Sequence, residues 1–141
     1  MRVLLIEDNE GDVALIRQGC TTSPRPVDLQ VMQDGAEALD FLFRRGTHTQ
    51  ALTPDLILLD LQLPQKTGFE ILEELEQDPD LKFLPVVVVT GSNNKADVNR
   101  CYELGANAYV VKPSDPGQYI AVVQAIIEFW YGCQFRELST R

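Results

Sequence analysis

Histidine and cysteine are scarce in this chain of 141 residues, and their scarcity excludes several kinds of chemistry. The single histidine, His48, lies in a polar stretch, which excludes a histidine-rich metal site and disfavours Ser-His or Cys-His catalysis. The three cysteines, Cys20, Cys101 and Cys133, are odd in number and far apart, so they do not indicate a disulfide framework. No charged region leads into an apolar signal-type segment near Met1. These features predict a protein of the reducing cytoplasm.

Cations and long apolar runs are also lacking. The chain has 12 lysines and arginines against 21 acids, and its net charge of −9 opposes nucleic-acid binding, because phosphate backbones are held by basic patches. No apolar run is longer than a strand, so the sequence predicts no membrane span. Apolar residues nevertheless make up 45% of the chain, enough for the core of one domain. We therefore expect one globular domain that has neither nucleic acid nor membrane as a partner.

The central apolar run is Leu56–Leu59, which is bounded by Pro54 and Pro64 and is followed directly by Asp60. A short, wholly apolar run suits a strand that is buried on both faces in a parallel sheet. Three other apolar runs also end in polar side chains that can do chemistry. Val3–Ile6 precedes Glu7 and Asp8, Val86–Val89 precedes Thr90, and Ala108–Val111 precedes Lys112.

Amphipathic stretches between the apolar runs predict helices, and strand and helix alternate five times along the chain. This alternation calls for right-handed crossovers and a doubly wound parallel sheet with helices on both faces. Leu29 and Val31 alternate with polar residues, so their strand belongs at an edge, whereas the first, third and fourth strands belong in the centre. We predict an α/β fold with strand order 2-1-3-4-5 and a ligand crevice between the first and third strands.

The predicted crevice brings together Glu7, Asp8 and Asp60. Neighbouring carboxylates repel, and Mg²⁺ suits such a site because it binds oxygen ligands, keeps several waters and shares its remaining ligands with phosphate. Thr90 adds a hydroxyl and Lys112 adds a fixed positive charge. A carboxylate beside Mg²⁺, an ammonium and a hydroxyl is suited to nucleophilic attack on phosphorus. We predict that Asp60, on the central strand, is the nucleophile.

This set of residues resembles the receiver domain of two-component response regulators, over roughly residues 2–131. The resemblance implies a flavodoxin-like (βα)5 fold and a phosphoacceptor signalling domain, not an enzyme, that assists its own phosphorylation and dephosphorylation. We expect a receiver domain over residues 1–132 and a short tail over residues 133–141, without an output domain. The residues that carry the resemblance are Glu7-Asp8, Asp60, Leu63-Pro64, Gly68, Thr90, Tyr109 and Lys112-Pro113.

The resemblance also implies how phosphoryl transfer would work. A sensor histidine kinase would donate a phosphoryl group to Asp60. Mg²⁺ would be held by Asp8, Asp60 and the backbone carbonyl of Gln62, and Glu7 would contact it through water. In the family, Gln62 and Ser92 stand at variable positions that tune dephosphorylation.

A phosphorylation switch is implied as well. Thr90 and Lys112 would bind the phosphoryl oxygens, and the Lys112-Pro113 bond would be cis. Because the modification adds about −1.5 to −2 charges, Thr90 can be drawn toward it and leave space into which the ring of Tyr109 can rotate. That movement would reshape the surface of the fourth helix, fifth strand and fifth helix.

The last predicted helix has an apolar arc that is too wide for one core contact, and it includes Phe129 and Trp130. The surplus indicates either an association surface or a place where the tail, with Phe135, folds back. Without an output domain the signal must leave by protein contact, which favours a homodimer through the fourth helix, fifth strand, fifth helix and tail. The Phe129-Trp130 ending also resembles stand-alone receivers that partner phytochrome-type kinases.

Three alternatives share the fold or the nucleophile. A phosphatase of the haloacid dehalogenase type needs a second acid two residues after Asp60, where Gln62 stands, and glutamine cannot transfer that proton. A flavodoxin-like FMN carrier needs a phosphate-binding loop after the first strand, where Glu7 and Asp8 would repel phosphate. A receiver used as a constitutive scaffold is the third, and the full set of site residues argues against it.

Overall fold

The computed structural model describes residues 1–133, and residues 134–141 lie outside the described part. Five parallel strands form one sheet in the order β2-β1-β3-β4-β5. The predicted α/β fold, its strand order and the edge position of the second strand are confirmed. The strands are β1 (Arg2–Ile6), β2 (Asp28–Met32), β3 (Leu56–Leu59), β4 (Val86–Thr90) and β5 (Ala108–Val111).

A helix follows each strand. The residue before each helix is its cap, and the side chain of this residue accepts a hydrogen bond from a backbone N–H of the first turn. Such caps satisfy donors that the helix itself cannot use. Short 3-10 turns occur at Gly46–His48 and Leu81–Phe83. The helices, with their caps, are α1 (Glu10–Thr21, Asn9), α2 (Gly35–Leu42, Asp34), α3 (Gly68–Gln77, Thr67), α4 (Lys95–Glu103, Asn94) and α5 (Pro116–Tyr131, Asp115).

Two apolar layers cover the sheet because successive side chains of a strand point to opposite faces. Leu4 and Ile6 point toward α2, α3 and α4, whereas Val3 and Leu5 point toward α1 and α5. All four residues of β3 are fully buried, as a central strand covered on both faces requires. Helices cover both apolar layers of the sheet. Within residues 1–133, no helix has the length and apolar character needed to cross a bilayer.

The apolar face of Ala38, Leu39, Leu42 and Phe43 predicts from sequence a helix that Gly46 closes, but α2 ends before this point. The helix ends at Leu42, and Arg44 adopts a left-handed backbone conformation with φ of 56°. Gly46, with φ of 57°, then begins the short 3-10 turn. The left-handed residue leads the chain away from the helix axis before the glycine is reached.

Candidate functional site

The sheet positions the predicted site residues because its hydrogen bonds continue past the strand ends. The Glu7 N–H donates to the Met32 carbonyl at 3.0 Å, and the Asp60 N–H donates to the Ile6 carbonyl at 3.0 Å. At the other side of the crevice, the Lys112 N–H donates to the Thr90 carbonyl at 2.8 Å. The site residues therefore project from one edge of a rigid sheet, at the topological switch point where open α/β folds bind ligands.

Glu7, Asp8 and Asp60 form the predicted acidic cluster, in which one carboxylate oxygen of each lies within 4.8 Å of the others. Glu7 and Asp60 are buried, with exposed fractions of 1% and 6%, and Asp8 opens to solvent. Burial raises the pKa of Glu7 to about 7; the Lys112 hydrogen bond opposes the rise and the Asp60 charge adds to it. Gathered carboxylates of this kind fit a hard divalent cation with one side open to water.

Lys112 is the counter-ion of this cluster. Its Nζ lies 2.9 Å from Glu7 Oε2 and 2.9 Å from Asp12 Oδ2, but 3.5 Å from Asp60 Oδ2. Burial alone would lower the pKa of Lys112, yet hydrogen bonds to Glu7 and Asp12 raise it above its usual value. The ammonium is therefore a permanent positive charge beside Asp60.

Asp12 is the residue of the crevice that the sequence prediction missed. From sequence, the stretch Asn9-Glu10-Gly11-Asp12 predicts only the start of a helix, and Asp12 does lie in the first turn of α1. Its carboxylate is mostly buried and pairs with Lys112 across 100 positions of the chain. The one local signal was its spacing, since an acid in the first helical turn after Glu7 and Asp8 stays near the same edge of the sheet.

The Lys112-Pro113 peptide bond, expected to be cis from the family resemblance, is instead trans, as are all the peptide bonds of the described residues. The trans form is the intrinsically favoured one even before proline. Lys112 reaches the crevice from this backbone geometry through its long side chain.

Thr90 and Tyr109 lie on the α4 side of the crevice. Thr90 is buried at the end of β4. The Tyr109 hydroxyl donates to the Ser92 carbonyl at 2.8 Å, and the Ser92 hydroxyl donates to Asp97 at 2.7 Å. In this structure the Tyr109 ring is thus bonded to the β4–α4 loop and packs partly against the core.

A cavity of about 510 Å³ adjoins the crevice, and its lining includes Asp8, Thr90 and Leu61, the residue after Asp60. Gly68 borders this region, since a Cβ there would lie 2.5 Å from the Asp60 carbonyl oxygen. Only glycine permits α3 to begin so close to the end of β3. The residues that line the cavity are Asp8, Leu61, Gln62, Leu63, Pro64, Thr67, Phe69, Thr90, Ser92 and Asp97.

The fold and the crevice together define a flavodoxin-like α/β domain with an acidic site at its switch point. Within that class, the chain belongs to the response regulator receiver domain family, whose model matches residues 3–124. The family resemblance inferred from the strand-end residues is therefore confirmed. Family membership also decides against the phosphatase and the FMN carrier.

Proteins similar to this chain include response regulators, one of which is a cyanobacterial phytochrome response regulator. Response regulator Rcp1 of Synechocystis sp. is 42% identical over 128 residues, which are 91% of this chain and 87% of Rcp1. The structure of the phosphorylated cyanobacterial phytochrome response regulator RcpA matches with a TM-score of 0.93 and 39% identity, covering 96% of this chain and 98% of RcpA. The Mn²⁺-bound form of Rcp1 matches with a TM-score of 0.91 and 39% identity, covering 96% and 99% of the two chains.

Proposed function

We propose that this protein is a response regulator that accepts a phosphoryl group on Asp60 from a sensor histidine kinase. The observation that carries the proposal is the position of the Asp60 carboxylate. It is buried, it lies 3.5 Å from a permanently charged ammonium, and it stands within 4.8 Å of two further acids. The relatives among phytochrome response regulators support a phytochrome-type kinase as the donor, and we place the reaction in the cytoplasm.

Asp60 acts as the nucleophile in this proposal. Its Oδ1 accepts a hydrogen bond from the Leu61 N–H at 2.8 Å, which orients the carboxylate. An Asp60 oxygen forms a bond to phosphorus while the P–N bond of the kinase phosphohistidine breaks. The electron pair of that bond stays on the imidazole nitrogen, and the imidazole takes up a proton. Lys112 and the Thr90 hydroxyl then bind the phosphoryl oxygens.

A divalent cation fits the acidic cluster, and we propose Mg²⁺. Asp8, Asp60 and the Gln62 carbonyl would hold it, with Glu7 reaching it through water. Bound there, it would neutralise negative charge on the transferred phosphoryl oxygens. The Mn²⁺-bound form of Rcp1 supports a divalent site in this family.

The phosphorylated state is read out, in this proposal, by a surface that includes α4, β5 and α5. Thr90 moves toward the phosphoryl group, and the ring of Tyr109 follows it from the β4–α4 loop. A second copy of the chain docks on the apolar part of this surface, where Phe129 has an exposed fraction of 65% and borders a cavity of about 510 Å³ between β5 and α5. The domain boundary at residue 132 also remains a prediction, and the tail proposed to join the interface lies almost wholly outside the described residues.

Intact mass spectrometry tests the phosphoacceptor role. The chain is incubated with acetyl phosphate and Mg²⁺, and we expect a gain of one phosphoryl group that is lost in Asp60→Asn and in the presence of a chelator. Asp28→Asn is the matched control because Asp28 is exposed at the opposite edge of the sheet. A wild-type chain that stays unmodified while folded would favour the scaffold alternative.

A further inference from the structure

The Lys112 ammonium is shared between two acids in a way that the proposed chemistry does not require. Its distance to Asp12 Oδ2, 2.9 Å, equals its distance to Glu7, and both are shorter than its distance to Asp60. Asp12 is not part of the acidic cluster that would hold the cation, because it lies one helical turn further along the chain. Asp12 therefore draws Lys112 away from the atom that it must serve during phosphoryl transfer.

A second donor stands next to the Asp12 carboxylate. Tyr119, in the first turns of α5, is buried, and its hydroxyl has no hydrogen-bond partner within the described residues. Burial raises the pKa of this hydroxyl most, and the negative charge of Asp12 and a hydrogen-bond interaction with its carboxylate add to the rise. The hydroxyl is therefore a neutral O–H donor that lies beside Asp12 without completing the geometry of a hydrogen bond. A buried hydroxyl without a partner is costly, and such a group calls for an explanation.

Phosphorylation would change which donor Asp12 can use. A phosphoryl group on Asp60 brings about −1.5 to −2 charges and three strong acceptor oxygens to within reach of Lys112. Once the ammonium turns to those oxygens, Asp12 is left mostly buried without its cation. The Tyr119 hydroxyl is the adjacent buried donor that has no other partner in residues 1–133.

We propose that Asp12 is a positioning residue that exchanges partners: it holds Lys112 in the unphosphorylated chain and accepts the Tyr119 hydroxyl when Lys112 turns to the phosphoryl group. The exchange rests on the proposed phosphorylation of Asp60. Before phosphorylation, the pair of Asp12 with Lys112 competes with phosphoryl transfer to Asp60. After phosphorylation, the bond from Tyr119 to Asp12 transmits the change to α5, the helix that bears the apolar surface. Asp12 thereby links the rate of phosphorylation to the position of α5.

The first test compares two isosteric changes that remove one negative charge from the first turn of α1. Asp12→Asn removes one of the two short ion pairs of Lys112 and leaves the pair with Glu7. Glu10→Gln changes an exposed residue of the same turn and controls for helix and net-charge effects. With acetyl phosphate and Mg²⁺, we expect Asp12→Asn to take up phosphoryl about three- to tenfold faster, since a charged hydrogen bond competes in the starting state. Loss of the phosphoryl group should change by less than about twofold, because Lys112 has already left Asp12.

The outcomes separate this inference from the function on which it rests. No uptake by the wild-type chain would overturn the phosphoacceptor role itself. Uptake by the wild-type chain together with unchanged or slower uptake by Asp12→Asn would overturn the role of Asp12 alone. A parallel acceleration in Glu10→Gln would do the same, since it would trace the effect to charge in general.

The second test addresses Tyr119 and does not depend on turnover. The unfolding midpoint in urea is measured for the wild-type chain, Asp12→Asn, Tyr119→Phe and the double variant, without and with Mg²⁺ and beryllium fluoride as a phosphoryl mimic. We expect the two changes to add in the unmodified chain and to be non-additive with the mimic, where the Asp12 to Tyr119 bond forms. Additivity in both conditions would overturn the exchange.

Discussion

Lys112 is surrounded by more negative charge than it can neutralise. Glu7, Asp12 and Asp60 each lie within 3.5 Å of its ammonium, and Asp8 stands at the rim of the same cluster. One cation against four acids leaves a strongly negative crevice before any ion binds. Burial is the main cause of the raised pKa of Glu7, about 7, and the charge of Asp60 adds to it.

Glu7 makes the stability of the metal-free chain depend on pH. Because burial, only partly offset by Lys112, raises its pKa from 4.5 to about 7, the folded chain favours the protonated carboxyl. This contribution to stability is fully present below about pH 4.5 and is lost as the pH rises through about 7. We expect the free energy of unfolding in chelator to fall on this account by about 1–2 kcal/mol between pH 5 and 8.

The measurement is urea denaturation of the wild-type chain and of Glu7→Gln, both with chelator, across that pH range. Glu7→Gln should show a shallower fall, because glutamine cannot ionise. Glu10→Gln, an exposed change in α1, should keep the wild-type slope. Identical slopes for the wild-type chain and Glu7→Gln would contradict the assignment of the raised pKa to Glu7.

At the scale of single elements, α3 is held at its start by a reciprocal cap. The Thr67 Oγ1 accepts from the Glu70 N–H at 3.3 Å, while Glu70 Oε1 accepts from the Thr67 N–H at 3.1 Å. This capping box satisfies donors on the helix that borders the cavity adjoining the crevice.

Removal of the cap should destabilise the chain without touching the acidic cluster. We expect Thr67→Ala to lower the free energy of unfolding by about 1 kcal/mol in urea denaturation. Thr49→Ala, an exposed threonine in the loop before β3, serves as the comparison and should change stability by less than about 0.5 kcal/mol. Equal stabilities for the two variants would mean that the capping box contributes nothing measurable.

Tyr109 connects β5 to the loop between β4 and α4 through its bond to the Ser92 carbonyl. We expect Tyr109→Ala to gain the phosphoryl group as the wild-type chain does, since the residue does not touch the acidic cluster, but to lose phosphorylation-dependent association. The measurement pairs intact mass with light scattering before and after phosphorylation. Association equal to that of the wild-type chain would remove Tyr109 from the switch.

At the scale of the whole molecule, the apolar surface beside α5 is a large feature without a partner in the described residues. Phe129 projects from it into solvent, so a polar residue there should leave the fold intact. After phosphorylation, we expect the wild-type chain to show the mass of a dimer by light scattering and Phe129→Glu to show the mass of one chain. The matched control is Leu52→Glu, since Leu52 is 58% exposed at the other end of the sheet.

The mass from light scattering also distinguishes the two alternatives for the surface beside α5, which are a second copy of the chain and the chain's own tail. A wild-type mass of one chain, with and without phosphorylation, would contradict the dimer and favour the tail folding back over the surface. If the tail covers the surface beside α5, deletion of residues 134–141 should expose this surface and reduce solubility. If the surface instead forms a dimer through contacts on α5, the mass of two chains should persist after the deletion.

Much of the fold could be predicted because local composition records burial. Leu56–Leu59 is wholly apolar and lies at the centre of the sheet, while the alternating second strand lies at its edge. The parallel order then placed Glu7, Asp60 and Lys112 at one edge, as expected from their positions after strands. The end of α2 was not predicted correctly, because the left-handed turn at Arg44 is not marked by glycine or asparagine.

The sequence by itself determined the strand order, the family and the group of acids, hydroxyl and ammonium at the switch point, because each depends on short patterns of burial and on strand ends. Only the tertiary structure decided which of these groups touch. Lys112 pairs with Asp12, and Tyr109 bonds to Ser92, although the two residues of each pair lie on different elements. The Tyr119 hydroxyl, by contrast, is left without a hydrogen bond. Such contacts depend on how helices pack against the sheet and on competition among several donors for one acceptor, and no local pattern records the outcome of that competition.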